Sequence, residues 1–149
     1  MKNYLKSIFN NHTTTFSYLV ILIIFLDQLT KYLILNFNPN INLKLFTLHL
    51  VKNTGAGFGI LKSQTWLLAL ISLLVVIFII YYYPKLPKDK FPQIMTALFL
   101  AGTIGNLVDR VFRKFVIDFI DFNFWPAFNV ADACISVGVI GLIIWVWKN

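Results

Sequence analysis

Residues 16–37 read FSYLVILIIFLDQLTKYLILNF. A run this apolar supplies the ~20 residues that a helix needs to cross the hydrocarbon of a bilayer. It is too long for the apolar part of a cleaved signal peptide, and no small-x-small cleavage site follows it. It therefore reads as a retained first span. Its second half is interrupted by Asp27, Thr30 and Lys31. Asp27 and Lys31 stand four residues apart, so on a helix they share a face and pair. Charges within a span are tolerated when they turn into a bundle and away from lipid. The pair reads as a structural one that fixes helix packing.

Three further runs, Trp66–Tyr83, Gln93–Val111 and Val130–Trp147, read as the second, third and fourth spans. The tyrosines that close the second suit an interfacial aromatic belt. Pro84–Pro92, PKLPKDKFP, is a short basic turn between antiparallel spans. In the third, Gly102 and Gly105 permit close approach of helices. Asn106, Asp109 and Arg110 lie there at i, i+3 and i+4. Arg110 can snorkel or pair with Asp109, or hold a carboxylate or peptide carbonyl in its planar fork.

Composition agrees with a lipid solvent. The 149 residues are 58% hydrophobic and only 13% charged, where a soluble domain carries about 25% charged residues. The length suggests one membrane domain, residues 1–149. The net charge of +7 comes from basic residues scattered over short segments between apolar runs, among them Lys2 and Lys6 in the polar first dozen residues. That pattern fits anionic lipid headgroups rather than nucleic acid. The single cysteine, Cys134, cannot form an internal disulfide. With no glutamate and two histidines, His12 and His49, metal clusters and His-based triads are poorly supplied.

Two segments stand outside the spans, at about 41–62 and 112–129. Ile41–Lys52 alternates roughly and predicts one or two short strands at the membrane surface, with His49 a surface residue. Asn53–Gly59, NTGAGFG, lacks the spacing of a phosphate loop. Its glycines mark either a turn before a helix or backbone that a substrate approaches closely, with Asn53 free to donate and accept hydrogen bonds. The second segment leads into FVIDFIDFNFWPAFNVADACIS, residues 115–136, which holds Asp118, Asp121 and Asp132 among aromatics. A carboxylate there is costly without a partner or a job. Two such groups with separately tuned pKa values make an acid–base pair. The other reading is structural: Asn129 caps the fourth helix, and Asp132, three residues on, is favoured by the helix dipole. Four spans put both termini on one side and the aspartates on the other. Lysines and arginines are denser in the short loops on the side of Pro84–Pro92, which makes that side cytoplasmic.

The motifs DQLTK (27–31), NTGAGF (53–58), GNLVDR (105–110), VIDF (116–119) and FNVAD (128–132), in this order, resemble the lipoprotein signal peptidase (signal peptidase II) family of bacteria. The resemblance runs from about Leu26 to Ser136. It implies an all-α integral membrane protein of four transmembrane helices, with a small extracytoplasmic β-sheet after the first helix. It implies an aspartic endopeptidase of the bacterial inner membrane that cuts diacylglyceryl-modified prolipoproteins just before the lipidated cysteine. Carried over, the catalytic pair is Asp118 and Asp132. Asn53, Gly55, Asn106, Arg110 and Asn129 match substrate-binding positions, and Asp27 with Lys31 match a structural pair. Asp132, at a helix N-terminus, is then the more readily ionised acid, and Asp118 holds the proton. No metal or cofactor is implied. The partners are prolipoproteins and membrane lipids, not nucleic acid, and the chain acts as a monomer. Gly57 stands where the family more often has alanine, and Ala101 where it often has glycine. Asp121 has no counterpart in the pattern. The rival readings are a four-span scaffold or transporter subunit, whose buried polar residues only pack helices, and a lipid-modifying enzyme.

Overall fold

The computed structural model describes residues 11–57 and 60–148; Lys2, Lys6, Phe58 and Gly59 lie outside the described residues. The helices are α1 (Asn11–Phe37), α2 (Thr65–Tyr82), α3 (Lys90–Phe112) and α4 (Val130–Lys148). All four are long and apolar enough to cross a membrane. The shortest has 18 residues, about 27 Å at 1.5 Å per residue. The helices expose apolar side chains such as Ile21, Leu74 and Ile143 outward. In water such faces would demand cover; in lipid they are matched to the solvent.

α3 packs against each of the other three helices. Its small residues make this possible. A Cβ at Gly105 would stand 2.5 Å from Asp27 Oδ2 and 3.3 Å from Ala131 Cβ, and one at Gly102 would collide with the Ala131 carbonyl. α3 begins earlier than expected, at Lys90 rather than Gln93. Pro92 thus lies in its first turn, where the missing N–H has no helical partner to lose. A 3₁₀ turn, Tyr83–Lys85, closes α2.

The sheet has three antiparallel strands in the order β1 (Asn40–Asn42), β2 (Thr47–Asn53), β3 (Val116–Asp121). β1 and β2 fulfil the expectation for 41–52. β3 corrects the reading of 112–129 as a loop: VIDFID is β-branched and aromatic, and it pairs along β2 with Val51 opposite Asp118 and Asn53 opposite Val116. Residues 116–119 are buried, and Ile117 and Phe119 share a core with Ile34 of α1. The chain then folds back. The Phe119 and Ile120 N–H groups both donate to the Phe128 carbonyl, and the Phe128 N–H donates to Ile120. This return delivers Asn129 and the start of α4 beside β3.

Candidate active site

The site is assembled where β2, β3 and the N-terminus of α4 meet the C-terminal end of α3. Asp118 projects from β3 and is 1% exposed. Its Oδ2 accepts Asn53 Nδ2 at 2.9 Å and its Oδ1 accepts Asn129 Nδ2 at 2.7 Å. Asp132 lies in the first turn of α4. Its Oδ1 accepts Asn106 Nδ2 at 2.7 Å and its Oδ2 accepts the Asn129 backbone N–H at 3.1 Å. In return the Asp132 N–H donates to Asn129 Oδ1 at 2.9 Å. That reciprocal pair is a capping box, so the expected cap at Asn129 is present. Asn129 also reaches Asn106 Oδ1 at 3.2 Å. One asparagine thus touches both carboxyls and the amide that holds the second.

Asp118 and Asp132 line a common cavity of about 220 Å³, with Arg110, Trp125, Phe128 and Ile135 among its walls. Burial raises the Asp118 pKa first, and the nearby Asp132 charge adds to it. Together they push it from 3.8 to about 7, against the opposing amide donors. The proton therefore rests on Asp118 more readily than on an ordinary carboxyl.

Behind the cavity lies a buried charged cluster. Lys31 Nζ sits 2.8 Å from Asp27 and 3.1 Å from Asp109, and all three side chains are fully buried. Lys31 also donates to Asn106 Oδ1 at 3.0 Å. A lysine has donors only, so this contact turns the Asn106 amide nitrogen toward Asp132. Asp27 accepts the Ala131 N–H of α4 at 2.9 Å. Asp109 accepts the Ile117 N–H of β3 at 3.1 Å and pairs with Arg113. The cluster pins the strand that carries Asp118 and the helix that carries Asp132 to the same frame.

The structure thus brings Asn53, Asn106, Arg110, Asn129, Asp118 and Asp132 together, with Asp27 and Lys31 just beneath. Asn53 both donates and accepts as expected, with partners in the chain itself. Its Nδ2 holds Asp118 and its Oδ1 accepts the Gly55 N–H at 2.9 Å. The close approach at Gly55 comes from its own loop: a Cβ there would lie 2.9 Å from the Ile60 carbonyl oxygen. Arg110 turns away from the pair with Asp109 and makes a long 3.4 Å contact to Ser72 Oγ. Asp121 lies away from the cavity. It binds His49 at 2.9 Å and accepts the Asn123 N–H, and the histidine contact holds its carboxyl below the usual range. Sequence reasoning missed Asp109 as the hub, and Gln28 and Arg113 beside it. The available signal was the i, i+4 spacing of Asp109 and Arg113. Among the described residues no group of three or more His, Cys, Asp or Glu side chains is gathered to hold a metal ion.

Comparison with known proteins decides the family of this chain. A sequence profile for signal peptidase (SPase) II matches residues 19–148. The chain belongs to the signal peptidase II family. It is therefore a peptidase. It is 44% identical over 128 residues to the lipoprotein signal peptidase of Caldanaerobacter subterraneus subsp. tengcongensis, covering 82% of this chain and 88% of that one. It is 36% identical over 135 residues to the lipoprotein signal peptidase of Halothermothrix orenii, covering 87% and 93%. A solved structure described as a bacterial membrane enzyme superposes with a TM-score of 0.84 at 30% identity, over 91% of this chain and 88% of that one. Together with the four apolar helices, this makes the chain a multi-pass membrane protein. The sheet after the first helix is part of that fold, although its third strand comes from beyond α3.

Proposed function

We propose that this peptidase removes the signal peptide from diacylglyceryl-modified prolipoproteins, cutting just before the lipidated cysteine, with Asp118 and Asp132 as its acid–base pair. The carrying observation is that two carboxyls from separate elements line one cavity, each accepting hydrogen bonds on both oxygens. Two neighbouring carboxyls resist double ionisation, so one proton is shared. Asp132, at a helix N-terminus, is the base. It takes a proton from a water as the water oxygen bonds to the scissile carbonyl carbon. Asp118 gives its proton to the carbonyl oxygen. The tetrahedral intermediate then collapses: the C–N bond breaks, the cysteine nitrogen takes a proton from Asp132, and the proton on one oxygen returns to Asp118. The products are a carboxyl-terminated signal peptide and an amino-terminal lipidated cysteine.

Asn53, Asn106 and Asn129 act as positioning residues that fix the two carboxyls. Arg110, on the cavity wall and only weakly held by Ser72, supplies N–H donors to a substrate carbonyl. The enzyme works as a monomer built as a single membrane domain. The enzyme sits in the bacterial cytoplasmic membrane with its termini inside and the cavity at the outer face, as the denser basic loop at Pro84–Pro92 favours. The test is cleavage of matched peptides with and without the diacylglyceryl group, with the cut mapped by mass spectrometry. Each buried methylene of the lipid adds about 0.8 kcal/mol of affinity, so the lipidated peptide is cut far faster and just before its cysteine. Equal cleavage of the bare peptide, or a cut elsewhere, refutes the reading.

A further inference from the structure

Two cavities share Asn53, Gly55–Gly57, Asp118 and Pro126–Ala127 as lining. The one described above has Arg110 of α3 and Asp132 and Ile135 of α4 in its walls. The other, about 260 Å³, draws no wall from any of the four helices among the described residues. It is built from the end of β2, the following loop, Asp118 and Pro126–Ala127, and Lys52 and Lys62 stand on it. Both lysines are exposed. Neither has a carboxylate within ion-pair distance among the described residues. Lys52 leans over the Phe115 ring, 5.2 Å from its centroid. The position of Lys62 is fixed by its backbone, which lies against Gly55 so closely that a Cβ there would stand 3.2 Å from Lys62 Cα. The one acid on this cavity, Asp118, is already bound by Asn53 and Asn129.

Resting on the proposed cleavage site, the two sides of the scissile bond differ in chemistry. The signal peptide and the acyl chains are apolar and need the helix-lined cavity. The chain after the cysteine belongs to the mature protein and needs a polar path away from lipid. We propose that the helix-free cavity receives the first residues of the mature protein, and that Lys52 and Lys62 make the enzyme prefer acidic over basic side chains there. Opposite charges at exposed sites attract modestly and like charges repel, and both effects weaken as salt screens them.

The test uses full-length enzyme in neutral detergent and three diacylglyceryl peptides. They differ only in the two residues after the lipidated cysteine: Asp-Glu, Ser-Ser or Lys-Lys. Expected is a kcat/KM ratio of acidic to basic peptide of roughly 5- to 10-fold at low salt, the scale of two exposed charge pairs. The ratio shrinks in high salt, approaches one in Lys52→Ser/Lys62→Ser and inverts in Lys52→Glu/Lys62→Glu. A wild-type ratio of one, or a ratio that the double variants leave intact, overturns the proposal. So does a ratio of one accompanied by a lysine-dependent gain in rate on adding phosphatidylglycerol, which assigns the lysines to lipid headgroups instead. Failure of the cleavage reading is distinct, since no peptide is then cut before its cysteine.

Discussion

Asn129→Ala removes one side chain that serves both acids, and it separates geometry from mere packing. The residue is fully buried. The variant loses a 2.7 Å donor to Asp118, a 3.2 Å donor to Asn106 and the cap to the Asp132 N–H. The cap contributes about 1 kcal/mol of stability. A hydrogen bond to a charged group contributes about 1.5–3 kcal/mol, which converts to a rate loss of roughly 10- to 150-fold if it is needed in the transition state. The pH profile carries a second, signed consequence. In the proposed mechanism Asp118 acts protonated, so the rate should fall as pH rises through its pKa of about 7. The Asn129 donor favours the carboxylate. Its loss raises that pKa further, and the alkaline limb of the pH–rate profile moves to higher pH. Asn129→Ser retains a capping oxygen but not the amide, so it recovers the cap's share of the melting temperature without recovering the rate. The assay is cleavage of a lipidated peptide across pH 5–9, beside a thermal melt of each variant. A wild-type rate in Asn129→Ala, or an alkaline limb that stays or moves down, refutes the reasoning.

Other perturbations have equally definite outcomes. Lys31→Met leaves Asp27 and Asp109 as buried acids without their shared cation; it should cost about 3–5 kcal/mol, read as a lower melting temperature together with lost cleavage. Gly105→Ala pushes a methyl group onto Asp27 and Ala131 and should cost about 1–3 kcal/mol through overpacking of the helix seam, checked by the same melt. Asp121→Ala breaks a half-buried contact to His49 away from the cavity; turnover should change less than about twofold, as expected for a weak surface pair, and a loss comparable to that of a dyad variant would place Asp121 in the mechanism.

What the sequence made legible follows the range of the physics involved. The spans were readable because lipid demands a continuous apolar run, and the Asp27–Lys31 pair because an i, i+4 contact is local. The cap at Asn129 is local too. The strand at Val116–Asp121 was hidden among aromatics that suit a strand or an interfacial loop equally. Only its pairing with β2, more than sixty residues earlier in the chain, settles which. Asn53 was legible as a donor and acceptor, but its partner was not: Asp118 is brought to it by that pairing. Asp109 was visible as a polar residue on α3. Its role as hub depends on Lys31 from α1 and the Ile117 N–H from β3 reaching it together, which no spacing along the chain reveals. The Gly55 motif was seen, yet the atom that needs the space is the Ile60 carbonyl oxygen of its own loop.

In the proposed mechanism Asp118 and Asp132 perform the chemistry while the surrounding amides only hold them. The most direct measurement is cleavage of a diacylglyceryl-modified prolipoprotein peptide by wild type, Asp118→Asn and Asp132→Asn, each shown by thermal melt to be folded. Wild type should cut just before the lipidated cysteine, and both folded variants should show no detectable turnover. Either folded variant cutting at the wild-type rate would contradict the account.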